Sequence, residues 1–75
     1  MLIESRIKAA RQRYGAYASS HEALGVITEE YLELMQAVRS NNIQDIFKEA
    51  MDLAACATKL ARDCGNKQFR ARSVK

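Results

Sequence analysis

The sequence predicts an all-α fold: an antiparallel helical hairpin behind an N-terminal helix, with a four-helix-bundle core completed by oligomerisation. Three observations carry this expectation. The chain has no proline and only three glycines. Its apolar residues recur three or four apart, the period of one helix face, and no alternating strand pattern occurs. Between the two longest such stretches stands only Asn41-Asn42, a connection that forces its helices to lie antiparallel as neighbours.

Taken in order, the first helix is expected from Leu2 to Tyr17, on the spacing of Ile3, Ile7, Ala10, Tyr14 and Tyr17. Ser19 and Glu22 have the Ser-x-x-Glu spacing of a capping box, in which each side chain satisfies the other residue's free backbone N–H. The second helix follows from Ser20 to Ser40, with Leu24, Ile27, Tyr31, Leu34 and Val38 as its apolar stripe. Gly25 lies inside that helix, where it costs about 1 kcal/mol against alanine, and this suggests another helix passing close by. Asn42 can cap the third helix, with Asp45 in the first turn facing the positive helix end. That helix is expected from Ile43 to Cys64 through Ile46, Ala50, Leu53, Ala57, Leu60 and Ala61, with Gly65 as its C-terminal cap. Residues 1–75 thus read as one domain: an N-terminal helix over 1–18, a helical hairpin over 19–64 and a basic tail over 65–75.

Size and charge narrow the function. A chain of 75 residues buries only about 60% of the surface it exposes when unfolded, and chains this small usually add disulfides, a metal or a second subunit. Two helices cannot cover each other's stripes, so a homodimer or homotetramer is expected. With 48% apolar and 28% charged residues, and no apolar run near 18 residues, neither disorder nor a membrane span is indicated. Cys56 and Cys64 stand eight residues apart on one helix, about 12 Å along its axis; a disulfide needs less than about 7 Å. Two reduced, mostly buried thiols, and with them a cytoplasmic location, are expected.

The net charge of +3 hides an uneven layout. Arg6, Lys8, Arg11 and Arg13 outnumber Glu4 at the start, and the tail from Lys67 carries no acid. Residues 15–66 hold eight acids against Arg39, Lys48, Lys59 and Arg62. An acidic middle between basic ends suits a site that holds cations and, through them, a polyanion.

The sharpest motif is Glu29-Glu30-x-x-Glu33 on the second helix with Glu49-x-x-Asp52 on the third. Residues three apart lie side by side on a helix, so each helix presents a carboxylate pair. At about 100° per residue, Glu30 falls about 40° from Leu34 and Glu49 about 40° from Leu53, inside the apolar stripes. Antiparallel packing can bring the pairs together. Glu-x-x-Glu is also frequent on solvated faces, but two pairs set into facing stripes would be desolvated, at several kcal/mol per ion. Divalent cations supply the counter-charge, and oxygen-only ligands suit Mg²⁺ or Mn²⁺. A di-iron bundle would want Glu-x-x-His on its helices, and here both second positions are acids.

Those residues, with the approach His21 to Glu30, resemble the MazG-like all-α nucleoside triphosphate pyrophosphohydrolases over roughly Ser19 to Leu60. The resemblance implies Mg²⁺-dependent hydrolysis between the α- and β-phosphates of a nucleotide, giving a monophosphate and pyrophosphate. It implies Glu30, Glu33, Glu49 and Asp52 as metal ligands, with Glu30 central to catalysis and Glu29 an auxiliary ligand or the group that orients the attacking water. Lys48, Lys59 and Arg62 are candidates to steady the phosphates. Family members commonly carry a further helix after Glu-x-x-Asp, whereas only ten residues follow Gly65 here. Two alternatives belong to other classes. A small basic helical dimer could bind nucleic acid through Arg6, Lys8, Arg11, Arg13 and the tail, with affinity that falls steeply with salt. A non-catalytic helical interaction protein would be stabilised by removing Glu30 or Glu49.

Overall fold

The computed structural model describes residues 3–66, which form α1 (Ile3–Tyr14), α2 (Ser20–Ser40) and α3 (Ile43–Asn66) and no strand. Both α1 and α2 pack on α3, the central helix. The expected start of the first helix at Leu2, the side chain of Tyr14 and the tail beyond Asn66 lie outside the described residues.

Local chemistry sets most of the boundaries. The Ser19 hydroxyl accepts the Glu22 amide at 3.2 Å, capping α2. Glu22 reaches back to the Ala18 amide at 2.5 Å, one residue upstream of the reciprocal partner a capping box would use. Asn41 closes α2 in the left-handed conformation at φ 61°, its amide donating to the carbonyls of Ala37 and Val38. Asn42 then caps α3 by accepting the Asp45 amide at 3.1 Å.

Three expectations need correction. The first helix ends at Tyr14 and not at Tyr17: Gly15 sits at φ +69°, the left-handed turn that glycine adopts without strain, with its amide on the Arg11 carbonyl at 2.7 Å. Gly65 is no cap, because α3 continues to Asn66. Gly25 marks no close approach, since a Cβ there would meet nothing within 4 Å.

The buried face of α2 also differs from the expected stripe. Ala23, Glu30 and Ala37 are buried, while Leu24, Tyr31 and Val38, each one residue further on, are 60%, 52% and 54% exposed. One residue is about 100° of rotation. On α3, Ala55, Cys56, Lys59 and Asp63 are buried, whereas Ala50, Ala57 and Ala61 of the expected stripe are exposed. The buried positions of α2 and α3 are thus alanines, Cys56 and three ionisable side chains, with Ile27, Leu34, Ile46 and Leu53 half-buried.

Ion pairs run along the α1–α3 seam: Arg6 with Asp52 at 3.0 Å, Arg11 with Asp63 at 2.8 Å, and Arg62 bidentate on Glu4. Tyr17, in the α1–α2 connection, is only 1% exposed and inserts beneath them. Its hydroxyl donates to the Cys56 carbonyl at 3.4 Å, and the Lys59 ammonium stands 3.4 Å from its ring centre, a cation–π contact. These contacts tie α1 to α3 from Asp52 to Asp63, with Arg6 at the end where Glu49 and Asp52 lie.

Candidate metal centre

Glu30 occupies the middle of the Ala23–Glu30–Ala37 row, so α2 presents its one long buried side chain where its neighbours along the row are small. Glu49 and Asp52, one turn apart on α3, are half-buried and meet it. One carboxylate oxygen from each of Glu30, Glu49 and Asp52 lies within 4.8 Å of the other two. Glu30 is 7% exposed. Its Oε1 and the Oε1 of Glu49 are buried without a hydrogen-bond partner among the described residues.

Such a group resists ionising. Burial first, then the charges of Glu33, Asp52 and Glu49, then a hydrogen bond shared with Glu33, push the Glu30 carboxyl up to about 7. Both oxygens of Asp52 and the second oxygen of Glu49 are held by cations. Lys48 reaches Glu49 Oε2 at 3.4 Å and Asp52 Oδ2 at 3.5 Å, and Arg6 takes Asp52 Oδ1. The two acids raise the Lys48 pKa. The donor set is all oxygen, partly dehydrated and under-satisfied, which fits a hard divalent cation.

Two hollows flank the cluster. One, of about 150 Å³, lies under α1 and is walled by Arg6 and Arg13 on one side and by Glu30, Asp52 and Lys48 on the other, with Ala9 and Ala10 along α1 between the arginines. The second, an open groove of about 410 Å³ towards the α2–α3 turn, is lined by Glu33, Gln36, Ser40, Asp45, Lys48 and Glu49. Lys48 borders both.

Of the residues singled out from sequence, Glu30, Glu49 and Asp52 are brought together. Glu33 is exposed and adjoins Glu30 without joining the three-carboxylate group. Glu29 is exposed on α2. Lys48 stands at the cluster and borders both hollows, whereas Lys59 and Arg62 line neither. Lys59 is fully buried against Tyr17, where desolvation lowers its pKa, and Arg62 is committed to Glu4. Both point down the α1–α3 seam because they follow Asp52 by two turns or more. Arg6 and Arg13 were set among nucleic-acid contacts, yet they face the cavity, and Arg11 is spent on Asp63. Their spacing was the missed signal: Arg6, Ala9, Ala10 and Arg13 stand at i, i+3, i+4 and i+7, one face of α1.

Cys56 is buried, as expected, and burial raises its pKa; Cys64 is exposed, against expectation. His21 is exposed beside the cap. Among the described residues no helix is long and apolar enough to cross a membrane. No protein-family model, curated protein or solved structure matches this chain.

Proposed function

We propose that the chain is a Mg²⁺-dependent nucleoside triphosphate pyrophosphohydrolase of the MazG-like kind, acting as a homodimer or homotetramer in the cytoplasm. The observation that carries the proposal is the pair of buried, unpartnered oxygens on Glu30 and Glu49, set within reach of Asp52 between two helices. Leaving buried carboxylate oxygens unsatisfied costs free energy that a bound cation would recover. The sequence pattern Glu-Glu-x-x-Glu with Glu-x-x-Asp adds the resemblance.

In this proposal Glu30, Glu49 and Asp52 hold the cation, and Glu33, one turn along α2 beside Glu30, completes its shell. When bound, Mg²⁺ neutralises phosphate charge and lowers the pKa of a coordinated water. Glu29, on the solvent side of α2, orients the attacking water or accepts its proton. Water adds to the α-phosphorus, the bond from that phosphorus to the bridging oxygen breaks, and pyrophosphate departs with the electron pair. Lys48 steadies the departing phosphates from the opposite lip. No side-chain nucleophile takes part.

The oligomer is proposed on the uncovered apolar surface. Leu24, Tyr31, Leu32, Val38, Ile43 and Phe47 are 45–74% exposed, more than a small monomer usually leaves in water. A second copy of the hairpin covers them by the same helix-on-helix packing that α2 and α3 use.

The test is a panel of standard and modified ribo- and deoxyribonucleoside triphosphates with Mg²⁺, scored for pyrophosphate. Release from at least one, abolished by Glu49→Gln and by EDTA, is the expected result. Silence across the panel, or orthophosphate in place of pyrophosphate, overturns the assignment.

A further inference from the structure

The 150 Å³ cavity under α1 is lined by Arg6 and Arg13 on α1 and by Glu30, Asp52 and Lys48 on α2 and α3, with Arg6 and Asp52 in contact at 3.0 Å. It has room for several waters, and so for a phosphate group beside a cation. A hollow that mixes guanidinium, ammonium and carboxylate groups can take a cation and an anion bound side by side. Asp52 nevertheless has both oxygens engaged, Oδ1 by Arg6 and Oδ2 by Lys48. A metal ion at Asp52 would compete with both of these cations for the charge of that carboxylate. Lys48 is the weaker holder at 3.5 Å and bridges to Glu49, on the acidic helix itself. Arg6 belongs to a different helix and, with Arg13 two turns on, faces the space a phosphate would fill.

We propose that Arg6 is an exchangeable counter-ion: it pairs with Asp52 in the metal-free protein and trades that carboxylate for a phosphate oxygen of a metal-bound polyphosphate, which it then holds together with Arg13. The exchange rests on the cation-binding half of the function proposed above and extends it to α1. It keeps the acidic cluster neutralised before loading. It also couples the two ligands, because a guanidinium that opposes the cation favours the anion. Guanidinium suits both partners, since its planar fork matches carboxylate and phosphate alike.

The signature is a pair of shifts in opposite directions. Calorimetric titration of Mg²⁺ alone into Arg6→Gln is expected to show binding about fivefold tighter than wild type, the release of a half-exposed ion pair. Inorganic pyrophosphate, titrated with Mg²⁺ saturating, is expected to bind about tenfold more weakly, the loss of one charge-assisted contact. Arg13→Gln, at an exposed position, is expected to weaken pyrophosphate binding while moving Mg²⁺ affinity by less than about twofold. Should Arg6→Gln fail to fold by circular dichroism, Arg6→Lys keeps the charge and loses the fork, and must leave Mg²⁺ affinity within about twofold while weakening pyrophosphate. A purely structural Arg6 would weaken both ligands together, and that result, or no change in either, overturns the exchange. Wild-type turnover with both constants unmoved in Arg6→Gln sinks the exchange and leaves the hydrolase proposal standing. Opposed shifts in a chain that releases no pyrophosphate from any nucleotide do the reverse.

Discussion

Replacing Glu30 by glutamine removes a charge the fold holds at a loss. With its pKa moved from 4.5 up to about 7, the folded chain keeps a proton that the unfolded chain has already released over that interval. Stability therefore falls as pH rises from 4.5 to 7, and this contribution is level on either side. Two and a half pH units at about 1.4 kcal/mol each amount to about 3 kcal/mol. Urea denaturation in EDTA at half-unit steps from pH 4.5 to 8.5 measures it. Wild type and Glu30→Gln should converge near pH 4.5 and diverge until, at pH 8, the variant is the more stable by about 3 kcal/mol. Glutamine conserves shape and can still donate a hydrogen bond to Glu33, so repacking adds little to the difference. Parallel profiles, or a variant less stable at pH 8, would refute the claim that this carboxylate is desolvated among like charges.

Other outcomes follow from the same geometry. Because Glu30 must shed its proton to ligate, the rise in melting temperature produced by millimolar Mg²⁺ should shrink as pH drops below about 7 and be absent in Asp52→Asn; thermal scans from pH 5.5 to 8 check this. Arg11→Ala strips the fully buried Asp63 of its 2.8 Å partner and should cost about 3 kcal/mol in urea unfolding, whereas Arg62→Ala, which breaks an exposed pair with Glu4, should leave the midpoint unmoved. Tyr31→Glu, on the uncovered face of α2, should lower the sedimentation coefficient from oligomer to monomer without loss of helix in the far-ultraviolet spectrum.

Helix content and the hairpin were legible because their signals are local. Asn41-Asn42, Ser19 with Glu22, and Asn42 with Asp45 each act within four residues, and each is found at its expected helix end. Tyr17 was misplaced because its spacing fits a helix that Gly15, at φ +69°, ends two residues before it. Rotation of the buried faces was harder to read. Hydrophobicity ranks Leu24, Tyr31 and Val38 above Ala23, Glu30 and Ala37, yet the second row is the buried one and the more apolar row is left on the surface. Glu30, Glu49 and Asp52 were found because helical spacing determines which side chains share a face. Arg6 and Arg13 were missed as site residues because their role depends on how α1 lies across α3, a tertiary fact. Lys59 misled for the same reason: a lysine two turns from Asp52 reads as surface charge until Tyr17 folds over it.

Direct titration of the metal-free protein with Mn²⁺ at pH 8, followed by the paramagnetic resonance signal of the free ion, asks whether Glu30, Glu49 and Asp52 form a cation site. Saturable uptake, displaced by Mg²⁺ and lost in both Glu30→Gln and Glu49→Gln while Glu29→Gln retains it, is the predicted result. Uptake that never saturates, or that persists in Glu30→Gln, contradicts it.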